Sequence, residues 1–192
     1  MDLLSLAAGR RDAGLAALDD GARADLGQFL TPIEVARLMA ALPRLPRQGV
    51  LRVLDPGAGS GVLSAAVVDR VRREAPDLRL EVTAVEVDER LHGVLARTLD
   101  SLEDVGVRTT LVRDDFVNWA LGTDERFDLV IQNPPYRKIR SGSTLDRALR
   151  SAGIIVPNIY AGFMALGSLL LADLGQQVSI TPRSWMNGTY FS

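Results

Sequence analysis

Short apolar runs alternate with longer amphipathic segments from Val50 onward, and this alternation limits the possible folds more than any other feature of the chain. The sequence predicts strands at 50–54, 80–86, 107–112, 127–131 and 177–181. It predicts helices between them at 61–74, 88–101 and 157–173. Strands that alternate with helices are typical of a mostly parallel sheet covered by helices on both faces. We therefore predict an α/β fold.

The part of the chain before this alternation is predicted to be helical. Leucines and alanines recur at helical spacing in the first stretch, which indicates one or two short helices. Thr31 stands where an N-cap is expected and Pro32 at the first helical position, so a further helix is predicted through Val35–Ala41. These patterns divide the chain into an N-terminal helical segment, residues 1–48, and an α/β domain, residues 49–192.

Composition excludes several classes of function. The 192 residues contain no cysteine, which excludes disulfides, thiolate nucleophiles and thiolate zinc sites. His92 is the single histidine, so we expect no metal site. The net charge of −2 argues against a wholly basic nucleic-acid-binding domain, so any DNA contact must be local. The sequence has no apolar run long enough to span a bilayer and no signal-peptide pattern, so we expect a cytoplasmic protein that does not contact membranes.

The first motif is the turn Asp55–Gly61, with the sequence DPGAGSG, between the first predicted strand and the next helix. Glycines let the backbone turn tightly and approach a ligand closely, while the helix N-terminus offers free N–H donors. The lysine of a phosphate-binding loop is absent, which argues against a nucleoside triphosphate site. Taken alone, this turn could equally serve a dinucleotide or no ligand.

Carboxylates follow the next two predicted strands. Glu86 stands where a carboxylate can accept hydrogen bonds from both hydroxyls of a ribose, and the capping role that could otherwise explain it suits Asp88 better. Asp115 could accept from an adenine amino group while Phe116 packs on the ring, although an acidic turn with Phe116 in the core is equally plausible. Together with the glycine turn, these residues predict a slot shaped for adenosine.

The motif Asn133-Pro134-Pro135-Tyr136 directly follows the strand predicted at 127–131. The prolines stiffen the backbone, so the Asn133 side-chain oxygen and the Pro134 carbonyl could together accept both hydrogens of a planar amino group. Such bonding would favour a pyramidal nitrogen and direct its lone pair at an electrophile, and Tyr136 would offer a flat face for stacking. A simple proline turn explains Pro134 and Pro135 but leaves Asn133 and Tyr136 unexplained.

The segment 137–153 carries five basic residues and one acidic residue. Its serines, glycines and low apolar content predict a mobile surface loop. Taken alone, it would be a solvated loop, but its position after the NPPY motif favours phosphate contact by Arg137, Lys138 and Arg140.

These motifs and their order resemble the adenine-specific DNA methyltransferases of restriction–modification type, in the class whose cofactor motifs precede NPPY (the gamma-class order). The resemblance runs from about Gly27 to Phe191. It implies a Rossmann-like S-adenosylmethionine-dependent methyltransferase fold, with 1–48 carrying the motif that closes over the cofactor and 49–192 forming part of the catalytic domain.

The resemblance also assigns roles to single residues. Thr31 and the glycine turn would border the methionine part of the cofactor, Glu86 would bind the ribose, and Asp115 and Phe116 would bind the adenine. The NPPY residues would be catalytic and would also border the cofactor through Asn133. The full implied cofactor set is Thr31, Asp55, Gly57, Ala58, Gly59, Gly61, Glu86, Asp115, Phe116 and Asn133.

Two later stretches also resemble family motifs: 158–163, which opens a helix, and 177–185, which forms a strand and turn. Family members continue with further strands, an aromatic-bearing loop and a target-recognition domain. We therefore expect a truncated catalytic portion, incomplete at its C-terminus, that needs a C-terminal recognition domain or a separate specificity subunit.

The reaction implied is methyl transfer from S-adenosylmethionine to an adenine flipped out of double-stranded DNA, because the amino group is inaccessible within the stack. Three alternatives remain open. An amide NH₂ fits the same acceptor geometry, so the substrate could be a protein glutamine. Ribosomal RNA is another possible substrate. The chain could also be a non-catalytic, cofactor-binding subunit of a modification complex.

Overall fold

The structure is a computed structural model that describes residues 3–16 and 30–182. Its helices are α1 (Leu3–Ala16), α2 (Ile33–Ala41), α3 (Val62–Glu74), α4 (Glu89–Glu103), α5 (Phe116–Gly122), α6 (Thr144–Ser151) and α7 (Ile159–Leu169). Its strands are β1 (Val50–Pro56), β2 (Arg79–Val85), β3 (Arg108–Val112), β4 (Phe127–Gln132) and β5 (Leu171–Ser179).

The five described strands form one sheet in the order β3-β2-β1-β4-β5, and every neighbouring pair is parallel. The chain starts at β1, winds outward to β2 and β3, and then returns to build β4 and β5 on the other side. The winding therefore reverses between β1 and β4, where open α/β sheets leave a crevice at the carboxyl ends of the strands. The predicted α/β class with a parallel sheet is confirmed.

Each face of the sheet is buried under helices. Along β4, Leu129 and Ile131 join a core formed with α1, α2, α3 and α4. Phe127 and Val130 on the opposite face join a second core formed with α5, α6 and α7. Each such buried side chain contributes about 1.5–3 kcal/mol through apolar burial. The strand ends are therefore held on a packed scaffold, as the prediction of helices on both faces requires.

Strand β5 begins at Leu171, well before the predicted start near 177, and α7 ends at Leu169. The apolar run at 169–171 suits a helix, but the Leu170 carbonyl accepts from Phe127 N at 2.9 Å and Leu171 pairs with Phe127. The pairing then shifts register before it resumes at Leu129. Pairing with β4 thus overrides the local helical pattern.

The prediction of a mobile loop at 137–153 is wrong for the second half of that segment, which forms α6. Ser143 is the N-cap, and its hydroxyl accepts from the Asp146 backbone N–H at 3.2 Å. The Asp146 carboxylate accepts from Gly142 N at 2.8 Å and from Arg150 Nε at 2.9 Å. Leu149 packs into the second core at 2% exposure. Polar capping, together with the packing of Leu145, Ala148 and Leu149 against the second core, therefore orders a segment whose composition suggests disorder.

The N-cap predicted at Thr31 is also wrong. Helix α2 begins at Ile33, and Pro32 is the N-cap, with its carbonyl accepting from Ala36 N at 2.9 Å. A residue before proline is restricted to extended backbone, which keeps Thr31 out of the helix. The Thr31 hydroxyl is consequently used in a tertiary contact.

Two of the resembling stretches extend past the described residues. Positions 27–29 of the N-terminal motif and 183–185 of the last motif lie outside the described ranges. Across 3–16 and 30–182, no helix combines the length and apolar character needed to cross a membrane.

Candidate functional site

The predicted motifs lie together at the carboxyl edge of the sheet. The glycine turn follows β1, Glu86 follows β2, Asp115 lies three residues after β3, and Asn133 follows β4. These four strands are neighbours in the sheet, so their ends form one continuous rim. The β1 and β4 ends lie on either side of the point where the winding reverses, which is where open α/β sheets bind their ligands.

The glycine turn depends on left-handed backbone at three positions. Gly57, Gly59 and Gly61 have φ values of 67°, 60° and 80°, which disfavour residues with side chains. A Cβ at position 59 would lie 2.8 Å from the Cδ2 atom of Leu30, and a Cβ at position 57 would lie 3.6 Å from Phe163. The side chains of Leu30 and Phe163 therefore pack close to the backbone of the turn.

Asp55 lies at the end of β1 and is fully buried. Its Oδ2 accepts from the Ser64 hydroxyl at 2.7 Å and from the Ser64 backbone N–H at 3.2 Å. Its Oδ1 is buried without a hydrogen-bond partner among the described residues. Burial raises the pKa of Asp55 to about 7, against the opposing effect of the Ser64 hydrogen bonds. The carboxyl group therefore ties the turn to the first turn of α3.

Glu86 connects the β2 end to the glycine turn. Its Oε2 accepts from Gly59 N and its Oε1 from Asp88 N, both at 2.8 Å. The residue is 7% exposed, and His92 Nε2 lies 2.9 Å from its backbone carbonyl. A carboxylate has about four lone-pair sites, so these two bonds leave acceptor capacity for a further donor. The capping role falls to Asp88, which accepts from Arg90 N at the start of α4, as predicted.

Asp115 and Phe116 begin α5. Asp115 is its N-cap, with Oδ1 accepting from the Val117 and Asn118 backbone N–H groups. Phe116 is 2% exposed, and its ring centroid lies 4.7 Å from that of Phe163. In this structure Phe116 is part of the second core, so the predicted contact between Phe116 and an adenine ring would require the Phe116 side chain to turn one face out of that core.

The Asn133 amide is held between two hydroxyls. Its Nδ2 donates to the Thr31 hydroxyl at 3.2 Å, and its Oδ1 accepts from the Tyr136 hydroxyl at 2.8 Å. Thr31 is 7% exposed and Asn133 is half-buried. The N-terminal motif and the NPPY motif, distant in sequence, therefore meet at this amide.

Tyr136 presents the most accessible aromatic surface of the site. Its side chain is 39% exposed, and its ring meets Tyr160 edge-on at a centroid distance of 6.2 Å. Partial burial raises the pKa of the Tyr136 hydroxyl, so the group remains a neutral donor at neutral pH. Asn158 Nδ2 lies 3.3 Å from the Tyr160 hydroxyl.

The three predicted DNA contacts, Arg137, Lys138 and Arg140, follow the NPPY motif and are all exposed. Their backbone is anchored, because Lys138 pairs with Asn158 in an isolated antiparallel bridge and the Arg137 carbonyl accepts from Ile159 N. The three positive side chains therefore extend from a hydrogen-bonded backbone segment that follows Tyr136.

The sequence assigned no individual role to Phe163 or Tyr160, which lie in the stretch 158–163 that resembles a family motif. In the structure, Phe163 lies against both Gly57 and Phe116, while Tyr160 contacts Tyr136. The available signal was their position in the motif at 158–163, since that motif opens a helix whose first turn lies beside the NPPY motif.

Comparison with known proteins points to one family. The family model described as Eco57I restriction-modification methylase matches residues 72–192. The type II methyltransferase M.BsuBI of Bacillus subtilis is 39% identical over 88% of this chain, which spans only 36% of that relative's length. A tRNA1(Val) (adenine(37)-N6)-methyltransferase of Salmonella arizonae is 36% identical. That match covers 47% of this chain and 35% of the length of the relative.

Comparison with solved structures supports the fold. A protein of Listeria monocytogenes described as a class I S-adenosylmethionine-dependent methyltransferase superposes with a TM-score of 0.68 at 17% identity. The match covers 84% of this chain and 49% of that one. The chain therefore has the Rossmann-like fold of these methyltransferases, as the sequence predicted.

Proposed function

Because the chain belongs to the Eco57I restriction-modification methylase family, we propose that it transfers a methyl group from S-adenosylmethionine to the exocyclic amino group of adenine in double-stranded DNA. The observation that carries this proposal is the Asn133 amide, which follows β4 at the carboxyl edge of the sheet and is held by two hydroxyls. With the Pro134 carbonyl, its oxygen would form a pair of acceptors suited to one NH₂ group.

The chemistry of the β1–β3 rim fits S-adenosylmethionine. Glu86 has acceptor capacity left for ribose hydroxyls, and Asp115 Oδ2 makes no hydrogen bond with the described residues, so it could accept from the adenine amine. A ligand could approach the backbone of the turn closely at Gly57, whereas at Gly59 it would have to displace the Leu30 side chain. Asp55, behind the turn, would border the methionine part of the cofactor, and its Oδ1 has no hydrogen-bond partner among the described residues.

When bound, S-adenosylmethionine supplies an electrophilic methyl group on its sulfonium. The Asn133 oxygen and the Pro134 carbonyl would accept the two amino hydrogens and turn the nitrogen lone pair toward that carbon. The N–C bond would form as the S–C bond broke, and the proton then lost from nitrogen would pass to solvent. Positioning and electrostatic stabilisation would provide most of the rate.

Tyr136 would stack on the adenine after it leaves the duplex, because its ring is the exposed aromatic face next to Asn133. Arg137, Lys138 and Arg140 would contact phosphates beside the flipped base. Because the chain spans 36% of the length of M.BsuBI, we place the reading of base sequence in a recognition domain or specificity subunit outside these residues. Residues 49–192 would then be part of the catalytic domain, and 1–48 its cofactor-closing segment.

A second candidate substrate is adenine in tRNA. It is favoured by one observation, the 36% identity to a tRNA (adenine-N6)-methyltransferase, which reaches under half of this chain. DNA remains the better candidate because the similarity to M.BsuBI extends over 88% of the chain.

The test is an activity assay with the full-length protein and tritiated S-adenosylmethionine. Duplex DNA, total tRNA and a glutamine-bearing protein should be offered in parallel, and the labelled product should be digested and identified. We expect label in DNA, recovered as N6-methyladenine. A duplex of G·C pairs only is the matched control and should take up none.

Label recovered in tRNA, in protein or on cytosine would contradict the proposal. Binding of S-adenosylmethionine without product on any substrate would instead indicate a non-catalytic subunit.

A further inference from the structure

Thr31 belongs to the segment predicted to close over the cofactor, yet its described contact is with the NPPY motif. Its hydroxyl is not used as a helix cap, because Pro32 holds that position. The hydroxyl accepts from Asn133 Nδ2 at 3.2 Å, and the residue is 7% exposed. A buried hydroxyl on a separate element thus fixes one end of the Asn133 amide.

The orientation of this amide decides which group meets the target. The terminal torsion of an asparagine is broad and roughly two-fold, so rotation by about 180° exchanges oxygen and nitrogen at little intrinsic cost. An amide presenting Nδ2 would oppose the amino hydrogens of the substrate with its own. Only the orientation that presents Oδ1 can accept from them.

Thr31 and Tyr136 favour the productive orientation together. The Tyr136 hydroxyl donates to Oδ1 at 2.8 Å, and a phenol donates more readily than it accepts because its lone pairs are delocalised into the ring. The aliphatic Thr31 hydroxyl is a good acceptor for Nδ2. An amide oxygen has two lone pairs, so it can accept from an incoming amine as well as from Tyr136.

We propose that Thr31 is a positioning residue that holds the Asn133 amide with its oxygen toward the target amine. This inference rests on the proposed function and adds a residue to it. It gives the N-terminal segment a part in the transfer step that is separate from cofactor binding.

The test compares Thr31→Val with Thr31→Ser in the full-length protein. Valine keeps the shape of threonine without its hydroxyl, whereas serine keeps the hydroxyl. We expect Thr31→Val to slow single-turnover methyl transfer about 10- to 100-fold at saturating cofactor. Its Kd for S-adenosylmethionine, measured by calorimetry, should change less than about threefold, and Thr31→Ser should transfer at nearly the original rate.

Equal rates for the valine and serine variants would overturn the proposal, and so would weaker cofactor binding with an unchanged transfer rate. A wild-type protein that fails to methylate adenine refutes the proposed function instead, since the comparison needs an active parent.

Tyr136→Phe provides a second test that leaves Thr31 intact. It keeps the ring but removes the donor to Asn133 Oδ1, so we expect slower transfer. Combined with Thr31→Val, it should slow transfer less than the product of the two single effects, because both act through one amide. Fully multiplicative effects would contradict a shared role.

Discussion

At the residue scale, the site is built from polar groups that already bond to protein atoms. Asp55 is tied to Ser64, Glu86 to the Gly59 and Asp88 amides, and Asn133 to Thr31 and Tyr136. The sequence predicted which residues gather here, because strand ends in a parallel sheet share an edge. It could not predict these bonds, which depend on three-dimensional placement, and it wrongly assigned Thr31 to a helix cap.

Asp55 makes stability depend on pH. Its pKa is raised to about 7 in the folded state from an ordinary value of 3.8, so the native protein retains a proton that the unfolded chain has lost. The stabilisation from this group is complete below about pH 4 and is lost as pH rises through 7. We expect Asp55→Asn, which is neutral and can still accept from Ser64, to remove this dependence.

Urea unfolding at pH 5 and pH 8 checks the prediction. Between these values the free energy of unfolding should fall by about 2–3 kcal/mol more in the wild type than in Asp55→Asn. Parallel pH profiles for the two proteins would show that Asp55 is ionised in the fold.

At the element scale, strands and helices were predictable where burial and periodicity agree. β1, α3, β2 and β4 lie within a few residues of their predicted positions, because their apolar residues face the cores. α6 was missed because it is short and mostly polar, and its order depends on its caps and on a small apolar face around Leu149. The start of β5 was missed because pairing with β4 outweighs the helical pattern at 169–171.

Ser143 provides a test of how α6 is held. Its hydroxyl caps the helix by accepting from Asp146 N, so we expect Ser143→Ala to lower the free energy of unfolding by about 1 kcal/mol. Ser151→Ala, at the exposed opposite end of the same helix, is the matched control and should cost less. Urea denaturation of both variants measures the difference, and equal costs would argue against the cap.

At the scale of the whole molecule, a net charge of −2 coexists with a local basic segment beside the site. We expect the double variant Lys138→Ala/Arg140→Ala to bind DNA of every sequence more weakly. The slope of log Kd against log salt concentration should also fall, by the amount expected for the loss of about two phosphate contacts. Arg79→Ala, which removes an exposed arginine at the amino end of β2, should leave the affinity for DNA and its salt dependence unchanged. Fluorescence anisotropy with labelled duplex across a salt series measures these slopes. An unchanged slope in the double variant would exclude these residues from the DNA contact.

The proposed function depends most on the Asn133 oxygen, which would orient the target amine for methyl transfer. The most direct measurement is the single-turnover rate of Asn133→Ala in the full-length protein, together with its calorimetric Kd for S-adenosylmethionine. We expect the rate to fall at least about 10²–10³-fold with cofactor affinity nearly intact, while Asn118→Ala, an exposed asparagine on α5, transfers normally. An Asn133→Ala protein that methylates DNA at the wild-type rate would contradict the claim.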